Sequence, residues 1–241
     1  MKGFIILGLS VSSVLSAQTD STQIKEIQEV SFTRRLPVSK EIINVQKDLG
    51  SKNLGQDLPI LLKNQMSVVA TSDAGNGVGY TGFRIRGSAG TSINVMLNGV
   101  PYNDSESQGT FFVNIPDMAS SASQIVIQRG VGTSSNGTAS FGASVNILTK
   151  NPDEKPYVLG QFSAGSFNTM KTSFEAGSGK FLNNLLSVSA RYSTINSDGY
   201  IDRAFSKLNS YSINALFEKG NTKIRFLTFG GKEKTYQAWN G

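Results

Sequence analysis

The apolar and polar positions of this chain follow three regimes in turn. At the start, Lys2 precedes an apolar run from Phe4 to Leu15 that closes on Ser16-Ala17. A positive start, an apolar middle and small residues at the end predict a secretory signal peptide over 1–17. The run is too short and serine-rich for a spanning helix, and no later stretch reaches the ~18 apolar residues that one needs. Residues 18–50 are polar and lack a sustained period. Within them Ile27, Val30 and Phe32 fall near strand spacing among polar neighbours, a pattern suited to pairing with the edge of another protein's sheet.

Residues 51–152 predict an α+β unit. Leu58, Leu61 and Leu62 form a helical stripe after Asp57, which reads as the cap, and Pro59 stands in the first turn where proline is tolerated. Short strands are predicted over 83–86, 93–97, 124–129 and 144–149, with glycines at their ends, and a second short helix over 116–123. From 153 to 241 the period becomes two. Met170, Thr172, Phe174 and Ala176 alternate with Lys171, Ser173, Glu175 and Gly177; Tyr211, Ile213, Ala215 and Phe217 alternate with Ser212, Asn214, Leu216 and Glu218. Similar alternation runs near 158–165 and 188–193, and less cleanly over 223–229. Segments of about 10 residues with one apolar face are the signature of a transmembrane β-barrel. A soluble antiparallel sandwich alternates in the same way, so the export signal and the succession of segments favour the barrel. Even small barrels have about 8 strands and plugged ones about 22, so the strands here are expected to be the first of an incomplete barrel.

Composition removes several functions. The 241 residues include no cysteine and no histidine, which excludes a thiol nucleophile, a disulfide framework, a His-based triad and a His-ligated metal within this sequence. No nucleophile–base constellation remains, and no cofactor is expected. The net charge of +6 comes from Lys and Arg scattered singly; this is not the clustered stripe that tracks phosphates, so nucleic acid is not an expected partner. Asp73, Asp104, Glu106 and Asp117 lie on turn-like segments and read as turn formers. Gly75, Gly77 and Gly79 lack the rest of a dinucleotide fingerprint.

Several ordered pieces then stand together over 58–150: LPILL, FRIRG, INVMLNGVP, IQRG and FGASVNILTK. In this order and spacing the chain resembles the plug domain of TonB-dependent outer-membrane receptors of the Bacteroidetes style, with Ala143 where many relatives carry glycine. The resemblance implies a signal peptide over 1–17, a periplasmic segment over 18–50, a plug over 51–152 and the first barrel strands over 153–241. It implies a cell outer-membrane location among lipid, and a TonB box that pairs with TonB, itself driven by the ExbB–ExbD motor. Glu26, Ile27, Gln28, Glu29, Val30, Ser31 and Phe32 are the best match to that box. Arg86 and Arg129 fall on the two plug arginine motifs, which in relatives face acids on the barrel wall; a guanidinium suits this because it makes bidentate, charge-assisted bonds. Asp73, Asn76, Tyr80, Glu106 and Gln108 are expected at the plug apex as cargo contacts. Phe111 and Phe112 are read as plug core.

The function so implied is uptake of a scarce nutrient, with a ferric siderophore as the leading cargo. A glycan or cobalamin-type cargo is the alternative within the family. Glycan importers usually carry an extra domain ahead of the plug, for which the short segment after the predicted cleavage site leaves no room. From a different class, a secreted β-rich adhesin or binding protein would give a soluble sandwich and no TonB pairing.

Overall fold

The computed structural model describes residues 40–131 and 140–236. The predicted signal peptide and the Glu26–Phe32 segment lie outside the described residues. All described residues belong to one compact unit.

The first part is built on a mixed sheet. Its strands are β1 (Lys40–Asn44), β4 (Ile93–Leu97), β5 (Val100–Pro101), β6 (Ala122–Arg129) and β7 (Ala143–Thr149), in the order β1-β6-β7-β4-β5. Only β4 and β7 run parallel. Separate from this sheet, β2 (Val68–Ser72) and β3 (Thr81–Ile85) form a hairpin. Two one-turn helices, α1 (Leu58–Leu61) and α2 (Met118–Ser121), complete the unit. The core is apolar: Ile125 and Ile127 of β6, Val145 and Ile147 of β7 and Ile93 and Val95 of β4 pack with Leu58, Leu61 and Leu62. β-branched residues dominate the central strands because both faces of the sheet are covered. Phe112 joins this core against Phe83, with ring centroids 5.2 Å apart. Phe111 does not; it is 44% exposed, because the short turn that begins at Phe112 points the two consecutive rings to opposite sides.

The predicted strands and helices are all present. β1 and β2 are additional, and the sheet therefore reaches back to Lys40. Asp57 stands at the N-cap of α1 but its side chain does not cap the helix; it turns away to accept a 2.9 Å bond from Thr81 Oγ1.

The second part is an antiparallel meander of β8 (Pro156–Ala164), β9 (Met170–Phe181), β10 (Leu186–Ser197), β11 (Ser206–Lys219) and β12 (Thr222–Thr235). These strands do not close on themselves; β8 and β12 are both edges. The meander's two faces are inverted relative to a soluble protein. Phe174 is 61% exposed and Phe226 is 61% exposed, while Ser193 is 1% and Ser206 is 0% exposed. Tyr192, Tyr211, Ile213 and Ile224 also point outward, while Lys171, Ser173, Arg191, Ser210 and Asn214 are buried against the first part. A sandwich would bury the apolar set. An apolar outside around a polar inside is the arrangement of a barrel wall in lipid, and this is the observation that separates the two readings that alternation alone leaves open.

Candidate functional site

The polar inner face of the wall meets the α+β unit through a buried network centred on Asp117. This residue precedes α2 with a left-handed backbone (φ 54°), a conformation that Asp and Asn tolerate better than most side chains. The turn aims its carboxylate at the wall. Lys171 Nζ of β9 lies 2.7 Å from Oδ1, and Arg191 Nη1 of β10 lies 2.6 Å from Oδ2. Ser120 donates to Oδ1 at 2.5 Å and Ser193 to Oδ2 at 2.6 Å. Lys171 also donates to Ser120 Oγ at 2.7 Å, and Arg191 Nε to Ser121 Oγ at 3.0 Å. The carboxylate is fully buried and the two cations nearly so. Burial pushes the Asp117 carboxyl up, but the Arg191 guanidinium and the Lys171 ammonium outweigh it and hold the group below the ordinary carboxylate value. The network is thus one anion from the inner unit gripped by two cations and two hydroxyls, with charge-assisted bonds on each side.

Two further contacts fasten the same faces. Asn76 Nδ2 donates to Ser197 Oγ at 2.6 Å, and the Tyr200 amide donates to Ala74 O at 3.1 Å. At the other end of the wall, Asn214 donates to Lys150 O at 2.5 Å, and Arg225 binds the Thr149 and Lys150 carbonyls. Gly79 shows how close the approach is. Its φ is +98°, and a Cβ there would lie 3.1 Å from Ser206 Oγ and 3.3 Å from Thr235 Cγ2, so a side chain would be strained in itself and would crowd the wall.

A second aspartate behaves in the opposite way. Asp57 is buried, and desolvation pushes its carboxyl up to about 7; bonds from Thr81 and the Gly79 amide pull it down, while Glu233 and Asp117 nearby push it further up. No cation is among the groups that set its charge. Glu233 faces inward as the cross-strand partner of buried Leu208, and its Oε2 is buried without a hydrogen-bond partner among the described residues.

The residues singled out from sequence separate. Arg129 is buried, but its guanidinium pairs with Glu41 of β1 and its Nε donates to Met66 O at 3.0 Å. That is a contact within the inner unit. Arg86 is exposed on a left-handed backbone (φ 53°). Among the described residues, Asp117 makes an acid–base contact with the wall in which the inner unit brings the acid and the wall the bases. Asp73 and Tyr80 are exposed on the loop that carries Asn76, whose amide is already engaged by Ser197. Glu106 and Gln108 lie on a different loop, exposed. Gln108 lines a cleft of about 520 Å³ with Asn94, Asn103, Asp104 and Phe141. The five expected cargo contacts therefore form two groups. Asp104 is held by its own turn, accepting from the Ser107 amide at 2.7 Å and the Glu106 amide at 3.1 Å.

Comparison with known proteins places these features. Residues 33–144 match the model of the TonB-dependent Receptor Plug Domain. None of the curated proteins matches the sequence. Among solved structures, the chain is similar to the siderophore receptor PirA of Acinetobacter baumannii, with 16% identity over 82% of this chain and 32% of that one and a TM-score of 0.62. It is similar to the ferric yersiniabactin uptake receptor FyuA of Yersinia pestis, with 15% identity over 81% and 32% and a TM-score of 0.62. It is similar to the copper transporter OprC, with 14% identity over 83% and 32% and a TM-score of 0.67. The chain spans about a third of the length of each.

Proposed function

We infer the function from one premise: this chain carries the plug domain of a TonB-dependent receptor, over residues 33–144, followed by the first strands of an incomplete barrel. The proposed activity is import of a scarce nutrient across the outer membrane, driven by TonB. Such receptors are transporters and not enzymes. The observation that carries the reading is the inside-out wall gripping the plug through the buried Asp117 network. The contact is mainly polar, with a small apolar cluster of Val78, Ile195 and Leu208 and the Tyr102–Phe229 ring pair beside it; a mainly polar contact suits a gate that must open and reseal. Chain order then gives direction: the short turns at 182–185 and 220–221 face the periplasm, and the longer loop at 198–205 faces outward.

Glu26 to Phe32 is proposed as the segment that pairs with TonB by strand addition. Asp73, Tyr80, Glu106 and Gln108 are the proposed cargo contacts, Asn76 being the hinge of its loop on the wall. Arg129 is proposed to secure β1, the strand nearest the pulled segment, to β6. A ferric siderophore is the proposed cargo, supported by the likeness to PirA, a siderophore receptor, and to FyuA, a ferric yersiniabactin uptake receptor. A metal ion is the second reading, since OprC is a copper transporter.

The test is uptake by cells producing the full-length receptor. Val30→Pro removes a backbone donor from the added strand and is expected to abolish uptake at an unchanged level of receptor in the outer membrane. Undiminished uptake would remove the proposed coupling segment. Ferric siderophores and free copper are supplied in separate arms, and uptake of copper alone would replace the siderophore reading.

A further inference from the structure

Two segments of the plug that are distant in sequence meet at the Arg129 guanidinium. One is β1, which follows the segment proposed to pair with TonB. The other is the turn at Met66, which leads into β2. Arg129 pairs with Glu41 of β1, and its Nε donates to Met66 O at 3.0 Å. Glu41 stands opposite Ile127. Arg129 lies two residues further along β6, so the two side chains share a face and reach each other on the diagonal. Their place along β1 matters. The pairs of β1 with β6 run from Lys40–Gln128 to Asn44–Gln124. Ile42 is exposed, and Ile43 is the first residue of β1 to enter the apolar core. A displacement that reaches the sheet at Lys40 therefore meets the Glu41–Arg129 pair before any buried apolar contact.

The other partner of the guanidinium leads to the wall. β2 starts two residues after Met66 and ends at Ser72, where the 73–80 loop begins. β2 and β3 form a hairpin separate from the main sheet. Its base is seated by Val68, Phe83 and Ile85 in the core and by the Arg129 bond to Met66 O. Its tip is tied to β2 through Ser72, which takes the Gly75 amide at 3.3 Å on its carbonyl and the Gly77 amide at 3.0 Å on its hydroxyl. The same tip holds the wall through Asn76 and Ser197. One guanidinium thus grips both the strand at the entry of the chain and the base of the hairpin that carries Asp73 and Tyr80. A guanidinium is a rigid plane, so the carboxylate that fixes one edge also sets where Nε points.

We propose that Arg129 is a positioning residue that couples β1 to the 73–80 loop. With Glu41 in place, the guanidinium is aimed at Met66 O and the loop stays on the wall. When β1 leaves β6, the carboxylate leaves with it, the hold on Met66 is lost and the loop parts from Ser197. The two arrangements of β1, on or off β6, are the element that both ends bias. The inference rests on the import reading, in which β1 follows the pulled segment and the loop meets cargo.

The test uses the full-length receptor in outer-membrane vesicles, with amide exchange followed in the 73–80 loop and in β7. Glu41→Gln removes the charge at a half-buried position and keeps the length of the side chain. Losing a hydrogen bond between charged groups is expected to quicken exchange of the loop by about tenfold or more, with β7 at the parent rate. Equal quickening in β7 would show a general loss of plug stability and overturn the coupling, as would a loop that exchanges at the parent rate. A second variant locks the strand. Ile42 and Val126 are cross-strand partners, at a spacing a disulfide spans, and the chain has no other cysteine to compete. Ile42→Cys with Val126→Cys is expected to import ferric siderophore only when reduced; import by the oxidised form at the reduced rate would overturn the requirement that β1 leave. The exchange measurement needs neither cargo nor TonB. A parent receptor that imports neither ferric siderophore nor copper, with the exchange result as expected, would therefore sink the import reading and leave the coupling standing.

Discussion

The plug and the wall solve the same burial problem with opposite faces. In the plug, Ile125, Ile127 and Val145 are wholly buried at the centre. In the wall, Ser193, Ser206 and Lys171 are buried while Phe174 and Tyr192 face out. The difference follows from the solvent each outer surface meets. The plug packs its apolar groups together as a protein in water does; the wall leaves them outside because lipid accepts them. The two therefore meet largely through hydrogen bonds and ion pairs, with Val78, Ile195 and Leu208 as a small apolar contact between them. Polar interfaces can be separated and rejoined in the presence of water at lower cost than apolar ones, which is what the proposed release of the plug requires.

The comparison breaks most sharply at Asp117. Asp117→Ala leaves Lys171 and Arg191 facing each other in a buried site, and removing one partner of a buried pair costs about 3–5 kcal/mol. The expected result in the full-length receptor is a plug that comes away from β9 and β10. Protease cleavage of the plug in intact outer-membrane vesicles, and entry of antibiotics too large for ordinary porins, would both rise. Asp117→Asn, which keeps the left-handed turn and loses the charge, should fall between.

Ile127→Ala acts inside the plug and should cost about 2–5 kcal/mol through the cavity left among Ile147, Val145 and the α1 leucines. Denaturant unfolding followed in the plug would show it, while the wall's resistance to detergent and heat stays unchanged. On the wall, Phe174→Ala should have much less effect, since lipid fills the space. Phe226→Lys, two residue pairs below the level of Tyr192 and Tyr211, should cost about 2–4 kcal/mol, read as a loss of folded barrel after refolding into lipid vesicles.

Sequence made most of this fold legible for a physical reason. Period-two alternation survives whichever side faces lipid, so β8 to β11 are marked by it and β12 less cleanly. The strands at 93–97 and 144–149 are marked by Ile93, Val95, Met96 and Leu97 and by Val145, Ile147 and Leu148. β2 is short and half exposed, with burial on alternate residues only at its start, and β1 buries mainly Ile43; neither stands out from its neighbours. The Asp117 contact was not legible because its partners lie 54 and 74 residues away. One signal did point there. Lys171 and Arg191 sit among serines on the polar face of two adjoining strands, and cations aimed into a closed interior need an acid opposite. Arg129 follows the same logic in reverse: its cation meets Glu41, on a strand that the polar composition hides.

Smaller effects sharpen the comparison through three aspartates of one plug. Asp117 is held ionised by cations and Asp57 is left without one. The docked Asp57 keeps its proton up to about pH 7, whereas a carboxyl in water releases it near 3.8. Docking is therefore favoured at low pH and weakens as the pH rises through that window, by about tenfold in the docking equilibrium per pH unit at most. Amide exchange of the 73–80 loop, corrected for intrinsic rates, should quicken from about pH 5 to about pH 7 beyond that correction; Asp57→Asn should flatten the profile, and a flat profile in the parent would reject this account. Asp104 has the opposite sign. Its turn amides, Ser107 first, lower its carboxyl below 3.8, so its contribution is present above that value and is lost as the pH falls through the lowered one. It lies in water, so Asp104→Ala should free the amides of Glu106 and Ser107 to exchange without a measurable change in the stability of the plug. If the plug did melt earlier, the 103–112 loop would be part of the core's support and not a surface turn, and Gln108 and Glu106 would lose their standing as residues free to meet cargo.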